Sequence, residues 1–318
     1  MNTFLNPEQR AGPTRLLAGM ETLRSPAASL RKFRRFCAAH VVSGLSAISR
    51  IPSASERNAA FWLYLKFVSR LFTAPFLPTG RISKEKVVGA ELAVLDYGTF
   101  LTLLSEIFFR RIYYFESESP SPLILDAGSN IGMSILFFKH LYPRCRVVGF
   151  EPDPQTFEVL KSNIRQNRWD HVEVFNKALH STDGEIAFYT EANRAGSGKM
   201  STVRERFGNS PARFLRCQTV EAVQLSRFIV EEIDLLKMDI EGSERAVMKE
   251  LSDANKLRFI KQIVLEYHHH LNPSEDRLSE VLRILEENGF GYQISSGATA
   301  PLAPYTIQPI LIYAYRRR

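Results

Sequence analysis

Beyond Pro122 the chain settles into a regular rhythm. LILDAG, VVGFEP, VEVFNKAL, LLKMDI and IVLEYH are short apolar runs rich in Val, Ile and Leu, and most are separated by segments of helical character. Runs that are apolar throughout, instead of alternating, predict strands buried on both faces. Strands alternating with helices then predict right-handed βαβ crossovers and a parallel sheet covered by helices. The end of the chain changes pattern. Residues 274–287 predict one more amphipathic helix, Gly289 stands where a C′ glycine closes such a helix, and FGYQIS and PILIYAY are spaced to pair as a hairpin.

Upstream the pattern is weaker. Residues 1 to about 55 hold scattered Pro, Ser and Ala without a period, and predict short helices with loose ends. Phe61, Leu65, Val68 and Phe72 then recur at helical spacing, which predicts an amphipathic helix whose stripe packs on the body. A short hairpin is expected around VVGAELAVLDYG, and TFLTLLSEIFFRRIYYF reads as a helix leading into the proline-rich join SPSPLI.

Composition sets the scale. With 318 residues, 45% of them hydrophobic and 24% charged, the chain can bury one large core plus an appendage. We place the division at about residue 90: a basic, mainly helical extension over 1–90 and one α/β domain over 91–318. Cys37, Cys145 and Cys217 follow no metal-ligand spacing, so neither a zinc site nor a disulfide scaffold is expected. No run reaches the length of a membrane span and no signal-peptide pattern opens the chain; a reducing, cytoplasmic location is expected. The formal charge of +7 is local. The first 50 residues hold eight Lys/Arg and two acids, so +6 lies there and +1 in everything else. Within them, SLRKFRRF has the charge to meet an anionic lipid surface, nucleic acid or an acidic partner, or to serve as the solvated face of a helix.

Chemistry concentrates at LDAGSNIG, residues 125–132, between the first apolar strand and the helix MSILFFKHLY. Gly128 and Gly132 permit close backbone approach, and the helix N-terminus favours an anionic group. VVGFE then ends in Glu151, about 20 residues beyond the glycines, where a carboxylate can accept two ribose hydroxyls. Two ribose-bearing cofactors compete, a nicotinamide dinucleotide and S-adenosylmethionine. Asn130 stands where the dinucleotide pattern needs its second glycine, and Asp126 repels a pyrophosphate while suiting a cationic sulfonium or ammonium group. Charge complementarity selects S-adenosylmethionine.

LILDAGSNIG, GFEPDPQTFEVLKSNI, VFNKALHSTDGEIAFY, LLKMDIEGSE and IVLEYH, in that order, resemble the FkbM family of S-adenosylmethionine-dependent methyltransferases over about residues 95–292. The resemblance implies a class I methyltransferase (Rossmann-like) fold, with a seven-stranded sheet whose last strand is antiparallel, and O-methylation of a hydroxyl on a sugar, polyketide or similar metabolite. It also implies that Asp126, Gly128, Asn130 and Gly132 form the methionine end of the cofactor site and that Glu151 holds the ribose. Residues 176–178, Ala178 among them, border the adenine, and Asp239 stands at the tip of strand four. The loop TEANRAGSGKMST is expected to close over the substrate.

A hydroxyl nucleophile needs a base, and Asp239 and His268 are the candidates. His268 lies two residues after Glu266 on one strand face, so the Glu266 carboxylate is expected to orient the imidazole. Glu266, His268 and His270 share that period-2 face and resemble a divalent-metal set, but the strand is expected to end by His270 and no metal is assigned. Glu241 and Glu244 read as acidic charge in a helix's first turn. A small-molecule or glycan hydroxyl is the expected acceptor and nucleic acid is not expected. A dinucleotide oxidoreductase and a non-catalytic binding protein attached through its basic N-terminus are the competing readings.

Overall fold

The computed structural model describes residues 45, 48, 49, 51, 53–73, 83–192, 196–198, 200–208, 211, 214–271, 276–296 and 306–317. The basic segment 29–36 and Cys37 lie outside them. Two compact units are present. Of the described residues, one unit takes in those up to 73 together with 97–112; the other takes in 83–96 and those from 113 onward.

In the smaller unit, α1 (Ala54–Thr73) is followed, further along the chain, by α2 (Tyr97–Leu103), which widens at Leu104 into a π-helical turn reaching Phe109. The backbone N–H of Arg110 donates to Ser105 O, the five-residue spacing of that turn. The expected stripe on α1 is corrected: Phe61 and Leu65 are about 40% exposed. Val68 of that stripe is half-buried and the Phe72 side chain lies outside the described ones, but Arg57, Ala60 and Tyr64 take the inward places given to Phe61 and Leu65, and buried Tyr64 packs edge-on against Phe109 with centroids 5.5 Å apart. Both faces carry large apolar side chains, so the period alone left the phase open.

The larger unit opens with the expected hairpin, β1 (Ser83–Val87) and β2 (Ala90–Val94). Its main sheet has seven strands: β3 (Leu123–Ala127), β4 (Arg146–Phe150), β5 (Val172–Phe175), β9 (Ile233–Met238), β10 (Ile260–His269), β11 (Phe290–Ser296) and β12 (Gln308–Arg316), in the order β11-β12-β10-β9-β3-β4-β5. The ladders among β5, β4, β3, β9 and β10 are parallel, while β12 runs antiparallel to both β10 and β11. Every residue of β3 and of β9 is buried, as central strands covered on both faces must be. The connection reverses direction across the sheet between β3 and β9, which makes the carboxyl ends of these two strands the topological switch point.

Helices α3 (Met133–Leu141) and α4 (Pro154–Asn167) follow β3 and β4. Helices α5 (Glu244–Asp253) and α6 (Leu278–Glu287) follow β9 and β10, and α6 is closed by Gly289 at φ +79. Asn163 and Asn167, one turn apart on α4, hold β2 through its backbone: Asn163 exchanges hydrogen bonds with Ala93 and donates to Ile131 O in the glycine turn. The run VEVFNKAL does not form one strand. It breaks after β5 at Asn176, whose amide donates to the carbonyls of Glu151 and Pro152, and resumes as β6 (Ala178–Leu179). With β7 (Gly184–Glu191) and β8 (Leu215–Val223), β6 makes a second sheet ordered β6-β8-β7. No helix among the described residues is long and apolar enough to cross a membrane.

Candidate functional site

The switch point is built by backbone that only glycine fits. Gly128 takes φ +87, and a Cβ there would stand 2.0 Å from the carbonyl oxygen of Asp239, so the tips of β3 and β9 approach too closely for any side chain. Asn130 holds φ +48, a region Asn tolerates better than most residues. Its backbone N–H donates to Glu151 Oε2 at 3.0 Å, and the Asp153 N–H donates to Glu151 Oε1 at 2.9 Å. Glu151 is therefore tied to the glycine turn, with one lone pair on each oxygen left over. Burial pushes its carboxyl up to about 8, against the pull of those two N–H groups.

Beneath the turn lies an ion pair. Asp126 is fully buried; Ser134 Oγ donates to its Oδ2 at 2.6 Å, and Lys237 Nζ stands 3.3 Å from its Oδ1. Lys237, also buried, donates to the carbonyls of Ala127 and Gly128 at 3.1 and 2.6 Å, and its ammonium lies 5.2 Å from the centroid of the Tyr113 ring. Asp126, expected from the sequence to face a cationic ligand, thus has a cation of the protein itself, Lys237, beside it, while its Oδ1 takes part in no hydrogen bond among the described residues.

Beyond Asp239 the turn before α5 assembles a charged cluster. Glu241, at φ +53, is ion-paired with Arg206, Nε to Oε2 at 2.7 Å, and the same Oε2 lies 3.2 Å from His268 Nε2. Glu244 takes the other ring nitrogen, with Nδ1 to Oε1 at 2.8 Å, and reaches back to the Gly242 N–H. Burial alone would push the His268 imidazole down, but the two carboxylates more than offset it and hold its pKa well above the ordinary histidine value. Burial likewise opposes ionisation of Glu241, which Arg206 and His268 nevertheless draw down to about 2. Asp239 differs. Burial raises its pKa, Lys237 opposes that rise, and Glu241 and Glu244 add to it. The Tyr113 hydroxyl donates to Asp239 Oδ2 at 3.1 Å.

A cavity of about 420 Å³ adjoins this cluster, with His268, Glu244, Tyr267, Tyr189, His180, Arg204 and Thr202 among its walls. The segment around 200–208 is docked there: Ser201 Oγ donates to Glu241 O at 2.5 Å, and the hydroxyls of Thr202 and Ser243 lie 2.7 Å apart. Gly242, at φ +117, is packed so tightly between Leu271 and Val203 that a Cβ would stand 2.3 Å from the leucine. The C-terminal part of the loop expected to close over a substrate is therefore already seated; residues 193–195 and 199 lie outside the described ones.

Residues 126–292, more than half of the chain, match the family described as the Methyltransferase FkbM domain. The chain belongs to the FkbM methyltransferase family. It is 28% identical over 211 residues to Methyltransferase 1 of Beauveria bassiana, covering 62% of this chain and 83% of that one. It is 29% identical over 228 residues to the 31-O-demethyl-FK506 methyltransferase FkbM of Streptomyces tacrolimicus, with 64% and 86% covered. The 2-O-methyltransferase NoeI of Sinorhizobium fredii matches at 29% over 156 residues, with 45% and 63% covered. The seven-stranded sheet with its antiparallel β12 is the fold expected of this family, and methyl transfer is its activity.

In this FkbM chain Gly128, Asn130, Gly132 and Glu151 gather at one turn, with Asp239 against Gly128. Ala178 does not point there: its side chain is buried in the core of the small sheet with Phe188, Met200, Val220 and Ala222. Glu266 is not the orienting carboxylate. It shares the β10 face with His268, but both imidazole nitrogens are met by the turn after β9. Glu244 does stand in the first turn of α5, as expected, and is in addition buried and ion-paired with His268. Reading the sequence missed Lys237, Tyr113 and Arg206. A lysine inside the apolar run LLKM signals a buried partner, whereas Tyr113 and Arg206 carry no local signal.

Proposed function

We propose that this chain is an S-adenosylmethionine-dependent O-methyltransferase acting on a hydroxyl of a small molecule or glycan. Two of the relatives are named for O-methylation, and the chemistry of the turn fits the cofactor. A desolvated Glu151 carboxyl, raised to about 8 and joined to Asn130, is a receptor for a pair of ribose hydroxyls, and Gly128 clears backbone for close approach. When bound, S-adenosylmethionine supplies a methyl group already activated on a sulfonium.

The remaining work belongs to the protein: alignment and removal of the acceptor's proton. The observation that carries the reading is the contrast between Asp239 and His268. His268 is held as an imidazolium between two carboxylates, Nδ1 hydrogen-bonded to Glu244 and Nε2 ion-paired with Glu241, so it has no lone pair to offer. Asp239, its proton affinity raised by burial, is the general base, and Tyr113 fixes its carboxylate through Oδ2. His268 lines the cavity and carries positive charge to its wall, which favours an acceptor with oxygen lone pairs. Glu241, Glu244 and Arg206 position that charge.

The test uses a labelled methyl donor with fractionated glycan and metabolite extracts, the product being identified by mass spectrometry. Asp239→Asn is expected to lower kcat by about 10²–10⁴ while S-adenosylmethionine still binds. An unchanged rate in Asp239→Asn would remove the base. Affinity for a nicotinamide dinucleotide in place of S-adenosylmethionine would end the reading.

A further inference from the structure

A second cluster lies at the end of β10: His269, His270 and Asp276 place one donor atom each within 4.8 Å of one another. The backbone explains the meeting. His269 is the last residue of β10, and His270 adopts φ +64, so the alternation of the strand stops there and both imidazoles turn to the same carboxylate. Their ring centroids are 3.8 Å apart. His269 Nδ1 lies 2.6 Å, and His270 Nδ1 3.4 Å, from one atom, Oδ2 of Asp276.

The short approach of His269 to Asp276 is an ion-pair contact without ideal hydrogen-bond alignment. Its Nδ1 is buried and no group meets it with hydrogen-bond geometry. Asp276 Oδ2 already accepts from the His270 backbone N–H at 2.6 Å, and its Oδ1 accepts from the Tyr267 hydroxyl at 2.7 Å. Both oxygens of the Asp276 carboxylate thus act as acceptors toward the end of β10. Two imidazole nitrogens and a carboxylate oxygen that converge on one point are the arrangement of three ligands of one cation. Donors bound to a zinc-sized ion at about 2.0–2.2 Å stand roughly 3.0–3.4 Å apart; His270 already has that separation from Asp276, whereas His269 would have to draw back from the carboxylate to admit the ion.

We propose that His269, His270 and Asp276 bind one divalent transition-metal ion of the zinc, cobalt or iron(II) class. Imidazole nitrogen favours these over magnesium or calcium, and two histidines with one carboxylate leave coordination positions open. Asp276 and its partner Tyr267 both line the 420 Å³ cavity, so the ion would sit at the cavity wall, where an acceptor oxygen can reach an open position. This set replaces the Glu266, His268 and His270 trio read from strand period, because His268 is committed to Glu241 and Glu244.

Tag-free protein, stripped with a chelator that is then removed, would be titrated with Zn²⁺ and with Co²⁺ alone, following heat and the visible cobalt absorption. One equivalent bound at micromolar affinity is expected, with at least a tenfold loss in His269→Gln and in Asp276→Asn. Asp276→Asn also disturbs Tyr267, so His269→Gln, which keeps side-chain volume at a partly exposed position, carries the decision once circular dichroism shows it folded. No binding at about 100 µM metal, or a cobalt signal unchanged in His269→Gln, overturns the assignment; the second result places any ion elsewhere, as at Asp239, Glu241 and His268. No cofactor enters the experiment, so its failure leaves the methyltransferase reading untouched.

Discussion

Raising the pH from about 6.5 to about 9 is expected to tighten S-adenosylmethionine binding about 30-fold, and Glu151 is the cause. The carboxyl titrates at about 8 in the free protein because it is buried. A ribose diol donates two hydrogen bonds and is best received by the ionised form. With a pKa of about 8, roughly 3% of the carboxyl is ionised at pH 6.5 and roughly 90% at pH 9. The ratio is about 30, worth about 2 kcal/mol. The sign follows from linkage: a ligand that selects the carboxylate lowers the pKa of Glu151 on binding, so close to one proton is released at pH 6.5 and about a tenth of one at pH 9.

Isothermal titration calorimetry reads both quantities. Affinity would be followed across the pH range, and at pH 6.5 the observed enthalpy would be compared between two buffers of different ionisation enthalpy, whose difference reports the proton count. Glu151→Gln keeps the shape of the side chain and cannot ionise; it should bind more weakly at high pH and show no slope. A flat profile in the unaltered protein, or a slope that survives in Glu151→Gln, refutes the assignment of Glu151 as the titrating ribose receptor.

The buried pair beneath the turn gives a second expectation. Lys237→Met leaves Asp126 fully buried and unmatched, at about 3–5 kcal/mol in urea denaturation, and adding Asp126→Asn should recover a large part of that loss; additive losses would show that the two charges do not act as a unit. A third concerns alkaline stability. The folded-state pKa of His268 is raised well above 6.5, so its ion pairs contribute fully below 6.5 and are lost as pH rises through the folded value. The urea midpoint should therefore fall more steeply with rising pH in the unaltered protein than in His268→Gln, and parallel profiles would contradict this.

Much of the architecture was legible because a buried parallel strand has a plain signature. LILDA and LLKM announced β3 and β9 through continuous apolarity, and the spacing from Gly132 to Glu151 was enough to bring that carboxylate to the turn. What failed had physical reasons. On α1, apolar residues on both faces hid the phase of the inward stripe. In VEVFNKAL the asparagine that breaks the strand looked like one polar residue in an apolar run, yet its amide was needed by the carbonyls of Glu151 and Pro152. Period 2 correctly put Glu266 beside His268, but a period describes one strand and is silent about the turn of the next. Glu241 and Glu244 reach His268 from that turn, 27 and 24 residues away, and Arg206 arrives from the small-sheet side.

The choice of base follows from how the cations around it are already committed. Lys237 serves Asp126 and the carbonyls of Ala127 and Gly128; Arg206 serves Glu241; the two N–H groups of His268 serve Glu241 and Glu244. Asp239 stands among these charges with a tyrosine hydroxyl as its hydrogen-bond donor, a neutral partner that fixes the carboxylate and lowers its proton affinity less than a direct ion pair would. Had any of the three cations been paired with Asp239, its pKa would be driven down and its basicity lost, as Arg206 and His268 do to Glu241. The same neighbourhood therefore makes one carboxylate a permanent anion that anchors an imidazolium, and leaves the next, two residues earlier at the tip of β9, able to take up a proton.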